Sequence, residues 1–111
     1  MENTARKPSA APREDEVRRM LRDLMLKSQG RLAGHRVVLF GSRARGDARP
    51  RSDFDLAVVG ETPLPLADFY ALADQLEVLP TLYRIDWVDL ARTSETFRRA
   101  ALEHAEVIFE A

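Results

Sequence analysis

The stretch Gly41-Ser-Arg-Ala-Arg-Gly-Asp-Ala-Arg-Pro-Arg-Ser-Asp-Phe-Asp55 decides how this chain is read. Immediately before it, Arg36-Val-Val-Leu-Phe40 is a short apolar run, partly β-branched and stopped by Gly41. That pattern predicts a buried strand. Within the stretch, Asp53-Phe-Asp-Leu-Ala-Val-Val59 predicts a second strand closed by Gly60. Side chains alternate along a strand, so Phe54, Leu56 and Val58 share one side, and Asp53, Asp55, Ala57 and Val59 the other. Two carboxylates two residues apart thus leave one face with roots roughly 6.5–7 Å apart, close enough to share a divalent cation. Without a cation, such neighbours raise one another's pKa. A bare Asp-x-Asp is most simply a turn residue beside a solvent-facing one.

The other end of the stretch changes that weighing. Gly41 ends one strand and Ser42 opens a short helix. A glycine there lets backbone amides approach a ligand closely. Ser42 either caps the helix or offers its hydroxyl, and a helix start favours phosphate oxygens. The Gly-Lys-Ser/Thr ending of a P-loop is absent. Between turn and carboxylates lie Arg43, Arg45, Arg49 and Arg51. Arginine suits forked contacts to phosphate, so this end of a sheet is equipped for a polyphosphate and its metal. Taken singly, Arg45, Arg49 and Arg51 read as solvated loop residues, and Arg43 stands even between the two roles.

Arg84-Ile-Asp-Trp-Val-Asp89 offers a third acid. Asp86 is a charge amid apolar neighbours and needs a partner or a metal. Asp89 falls at the strand end, where turn or cap duty is expected. The remainder predicts a helix from Arg13 closed by Gly30, with Glu14, Asp15 and Glu16 at its favourable end. A second helix is expected over Leu66–Leu79 with Leu66, Phe69, Tyr70, Ala73 and Leu76 on one stripe, and a strand over Leu82–Val88. A final helix capped by Thr93 or Ser94 should bury Phe97, Ala100 and Ala101, and Val107–Phe109 adds a last short strand. The expected fold class is α+β, a small mixed sheet flanked by helices. Residues 1–12 read as a flexible arm and 13–111 as a single domain.

Composition sets the bounds. The chain has 111 residues, 17 basic and 18 acidic, for a net charge of -1, and no cysteine. Disulfides and thiolate metal sites are excluded, and a reducing cytoplasm is expected. No apolar run reaches membrane-spanning length, and no secretory signal is expected. Near-zero net charge argues against a general nucleic-acid binder. Fifteen of the 17 basic residues are Arg. His35 and His104 read as structural or surface residues.

Gly41-Ser42, ten residues, Asp53-x-Asp55, and Asp86 in a later strand together resemble the nucleotidyltransferases of the DNA polymerase beta superfamily. The Gly-Ser-Arg-Ala-Arg-Gly segment is most similar to the minimal nucleotidyltransferases of the MntA antitoxin kind, over roughly Arg36 to Ala111. The resemblance implies transfer of AMP from ATP to an acceptor hydroxyl with release of pyrophosphate. Asp53, Asp55 and Asp86 would serve as catalytic residues and as ligands of two Mg²⁺ ions, and Gly41, Ser42 and Arg43 would bind the nucleotide. It also implies a partner, a HEPN-domain ribonuclease toxin modified on tyrosine. The alternatives are transfer to a small molecule, for which an acceptor-binding domain is expected and missing, and an antitoxin that neutralises by binding alone. Direct nucleic-acid binding through the arginines ranks below these.

Overall fold

The structure is a computed structural model that describes residues 10–49 and 52–111. Helix α1 spans Ala10–Lys27 and is followed by a 3-10 turn, Gln29–Leu32. Strand β1 (Arg36–Phe40) leads through the four-residue helix α2 (Ser42–Arg45) to β2 (Phe54–Val59). Helix α3 (Leu66–Glu77), β3 (Ile85–Asp89), a 3-10 turn (Leu90–Arg92), α4 (Glu95–Leu102) and β4 (Glu106–Glu110) complete the chain.

The four strands form one mixed sheet in the order β3-β2-β1-β4. β1 pairs antiparallel with both β2 and β4, while β2 and β3 run parallel. A parallel pair needs a crossover, and α3 supplies it. β2 is central and buried on both faces. Phe54, Leu56 and Val58 join a core built from Val17, Leu21 and Met25 of α1 and Leu72 and Leu76 of α3. Ala57 and Val59 belong to a second, smaller cluster with Val38, Leu90 and Ala101 of α4. Helices α1 and α3 thus cover one sheet face and α4 covers part of the other. The mixed α+β architecture matches the expectation, and the alternation along β2 is as read from its residues.

Several boundaries and faces differ from expectation. α1 begins at Ala10, three residues before Arg13, and ends at Lys27, with Gly30 inside the following 3-10 turn. Residues 1–9 of the expected arm lie outside the described residues. Glu14 does not serve the helix start; it lies a turn in and pairs with Arg43. The third strand starts at Ile85 instead of Leu82, because a turn at Thr81 holds the chain: its hydroxyl accepts from the Tyr83 amide at 3.2 Å. Leu82 is fully exposed. On α3 the buried residues are Leu72 and Leu76, with Phe69 packed beside them, while Leu66 and Tyr70 face solvent. The stacking of Phe69 on Trp87 (5.5 Å, 17°) sets that rotation. Ser94 caps α4 as expected, its hydroxyl accepting from the Phe97 amide at 3.1 Å. Yet Ala100 is exposed and Phe97 is 43% exposed. α4 is too short and lies too far to one side to bury more than Ala101 and the flank of Leu102.

Candidate active site

The antiparallel register sets Phe40 opposite Asp55, and the parallel register sets Asp55 opposite Asp86. Cross-strand partners share a face, so Phe40, Asp55 and Asp86 rise side by side. This is the face of Ala57 and Val88, and hence of α4. Asp53 precedes β2 by one residue and is a second near carboxylate. Asp55 is hydrogen-bonded to Asp86 and feels the charges of Asp86 and Asp53. Partial burial first, and then these two acids, push its pKa from 3.8 up to about 6. The structure therefore sets Asp55 and Asp86 side by side, with Asp53 near enough for its charge to act on Asp55.

Gly41 closes the site from the β1 side. Its φ of +77° and ψ of -154° lie in a region open only to glycine. A Cβ there would stand 2.4 Å from Oδ2 of Asp55. Glycine is thus required twice, by backbone conformation and by the closeness of the carboxylate. Gly41 is also the N-cap of α2, and its carbonyl accepts from the amides of Ala44 (3.1 Å) and Arg45 (3.0 Å). Ser42 is the first helical residue, half-buried beside this turn.

The arginines divide differently from expectation. The guanidinium of Arg43 is fully buried. It donates to Glu14 of α1 and, at 2.7 Å, to the Ser52 carbonyl. It also lies over the rings of Phe54 (4.5 Å) and Tyr83 (5.0 Å). Its side chain is a brace between α1 and the loop before β2, not the open charge that phosphate compensation calls for. Arg45, in contrast, is exposed, bonds Asp47 at 3.3 Å, and its charge lowers the pKa of Asp55. Among the described arginines of this segment, it is the one whose charge acts on Asp55. Alternation could not show this, because α2 is too short for periodicity. Arg49 is exposed in the loop, and Arg51 lies outside the described residues.

Around Asp86, Arg84 donates to Oδ1 at 3.1 Å from an exposed position. A cavity of about 480 Å³ opens at the outer edge of β3, walled by Leu76, Tyr83, Ile85 and Trp87 and reaching Asp86. Asp89, three residues on, points the other way and is buried. It accepts from the amides of Leu64 (2.8 Å) and Ala91 (3.0 Å), the cap duty expected of it. His35 bonds the carbonyls of Ala33 and Thr62 far along β1, consistent with a structural role.

Among the described residues, no three His, Cys, Asp or Glu side chains are gathered as a ready metal cage. The donor set still fits Mg²⁺. That ion is bound through one or two carboxylates plus substrate phosphates rather than by an all-protein cage. The mutual repulsion that raises the pKa of Asp55 is what a shared cation would relieve. No helix among the described residues is long and apolar enough to cross a membrane.

This geometry agrees with what the chain resembles. Over 62 residues it is 40% identical to a Haemophilus influenzae protein named Probable protein adenylyltransferase MntA; the match spans 56% of this chain and 54% of that protein. The chain thus spans about half the length of this curated relative. A solved structure described as a minimal nucleotidyltransferase is 34% identical, over 82% of this chain and 92% of that one, with a TM-score of 0.55. The MNT antitoxin complex with a tri-AMPylated Shewanella oneidensis HEPN toxin shares the fold: 18% identity over 85% of this chain and 73% of that one, TM-score 0.57. The family model for polymerase beta nucleotidyltransferases matches residues 30–111, from the turn before β1 through the last strand. With the paired acids, the third acid and the glycine turn all inside that span, the chain belongs to the polymerase beta nucleotidyltransferase family.

Proposed function

We propose that this protein is the antitoxin of a toxin–antitoxin pair and moves AMP from ATP onto a tyrosine hydroxyl of a partner HEPN ribonuclease. The observation that carries the transferase reading is the pairing of Asp55 with Asp86 beside the Gly41 turn, with the charge of Asp53 close by. The choice of acceptor rests on the relatives, one named a protein adenylyltransferase and another seen with an AMPylated HEPN toxin.

On this reading the Gly41–Ser42 turn receives the β- and γ-phosphates, and Arg45 adds positive charge at the mouth. The acceptor oxygen attacks the α-phosphorus, the bond to the β-phosphate oxygen breaks, pyrophosphate leaves, and Asp86 takes the hydroxyl proton. Asp53, Asp55 and Asp86 would hold Mg²⁺, two ions on this reading, and bound metal would supply neutralisation of the triphosphate and a lowered pKa at the acceptor hydroxyl. Phosphates added to the partner bring negative charge and bulk to a site that must accept RNA. Protein and partner work in the cytoplasm.

The test is incubation with Mg²⁺, ATP and the product of the neighbouring gene, read by intact mass. AMP-sized increments on the partner are expected, and none with the double variant Asp53→Asn, Asp55→Asn. Increments that persist undiminished in the double variant sink the site assignment.

A further inference from the structure

We propose that Phe97, backed by Phe40, is the shelf on which the base of the bound nucleotide stacks; this rests on the transferase reading above. The carboxylates occupy the sheet face of Ala57 and Val88, partly covered by α4. On that face Phe40 stands directly across from Asp55. Its ring meets that of Phe97 edge-on, at 5.9 Å and 82°. An edge-to-face pair leaves one ring's flat side free to take a further ring. Phe97 is 43% exposed, although α4 is strongly amphipathic and its burial was expected.

Position singles this residue out. The other well-exposed aromatic among the described residues, Tyr70, is on α3, across the sheet from the acids. Trp87 is already stacked on Phe69, and its indole N–H donates to the Phe69 carbonyl at 3.1 Å. Phe54 and Tyr83 enclose the Arg43 guanidinium. Among the described residues Phe97 is therefore the exposed aromatic on the side of the carboxylates, next to Phe40, the cross-strand partner of Asp55. A nucleotide with its α-phosphate at Asp55 and its tail on the Gly41 turn has its base within reach of this ring. Stacking of this kind tolerates any base, since each offers a flat π face.

The experiment compares ATP with inorganic tripolyphosphate, which has the tail without the base. Both are titrated calorimetrically, with Mg²⁺, into wild-type protein, Phe97→Ala and Phe97→Tyr. The shelf predicts that Phe97→Ala weakens ATP about tenfold or more. Phe97→Tyr keeps the ring and should stay within about twofold of wild type. Tripolyphosphate should bind all three alike. Unchanged ATP affinity in Phe97→Ala overturns the shelf, as does an equal loss for both ligands, which marks a structural effect. If wild-type protein binds neither ligand, the transferase reading itself fails, a result separate from a failure of the shelf alone.

Discussion

Asp55 and Asp86 sit opposite one another across the parallel β2–β3 pair, hydrogen-bonded through their carboxyl groups. Partial burial, and then the neighbouring Asp86 and Asp53, raise the pKa of Asp55 from 3.8 to about 6. Folding therefore holds a proton on Asp55 that the unfolded chain releases near its ordinary value of 3.8.

The sign of the pH effect follows. Between 3.8 and about 6 the native state binds more proton than the unfolded state, so this contribution to stability falls as pH rises and is lost above about 6. Asp55→Asn removes the penalty. In Mg²⁺-free buffer at pH 7–8 it should stabilise the protein by on the order of 1 kcal/mol, discounted because the site is partly open to water. Near pH 4 the advantage should vanish. Urea unfolding of both proteins across the range checks it, and a variant less stable than wild type at pH 8 would contradict the origin given for the shift. The same variant should lose AMP transfer.

Gly41→Ala should fail on two counts. A non-glycine residue at this φ and ψ costs about 1–3 kcal/mol, and the methyl group also displaces the Asp55 carboxylate. Thermal unfolding should show the first effect. AMP transfer measured well below the melting point should show the second, as a fall of more than tenfold in kcat. Transfer at the wild-type rate in a merely less stable protein would separate Gly41 from the site.

How much of this was legible in the residues can be judged from these two positions. The strand pair Arg36–Phe40 and Asp53–Val59, the second of which begins one residue later at Phe54, and the special place of Gly41 follow from alternation and glycine chemistry. That Asp86 joins Asp55 depends on strand order, which periodicity does not encode; the family pattern carried it. Arg43 and Arg45 show the limit most clearly. Two arginines two apart on a four-residue helix look equivalent in sequence, yet partners such as Glu14, 29 residues upstream, and the Ser52 carbonyl draw one of them inside. The exposure of Phe97 was illegible for a related reason, since a short helix with Phe, Ala and Ala at helical spacing reads as buried until the sheet beneath it is seen to be narrow.

Arg43 gives the third prediction. Its guanidinium is buried, bonded to Glu14 and the Ser52 carbonyl, and packed over the rings of Phe54 and Tyr83. Arg43→Met should lower stability by about 3 kcal/mol, because it removes the buried partner of Glu14, leaving that acid only Arg18 at 3.6 Å, and empties a polar niche. Tripolyphosphate affinity, measured at a temperature where the variant is folded, should fall no more than about threefold, within the scatter expected of an indirect effect. A stability change below about 1 kcal/mol together with a large loss of affinity would return Arg43 to the phosphate role.

Asp86 and Asp89 lie three residues apart on one strand and therefore face opposite ways, which makes them a matched pair for the fourth prediction. Asp89 is almost fully buried and accepts two backbone amides, from Leu64 and Ala91. Asp89→Ala leaves both amides without an acceptor and should cost about 2–4 kcal/mol, with kcat in the folded fraction little changed. Asp86 is half-exposed and meets Arg84 and Asp55. Asp86→Asn relieves a carboxylate pair, so it should leave stability unchanged or slightly raised while abolishing AMP transfer. Melting curves and single-turnover assays on the two variants should therefore give opposite patterns. If Asp89→Ala is the one that silences transfer while Asp86→Asn only unfolds the protein, the two acids have been assigned to the wrong faces of the strand.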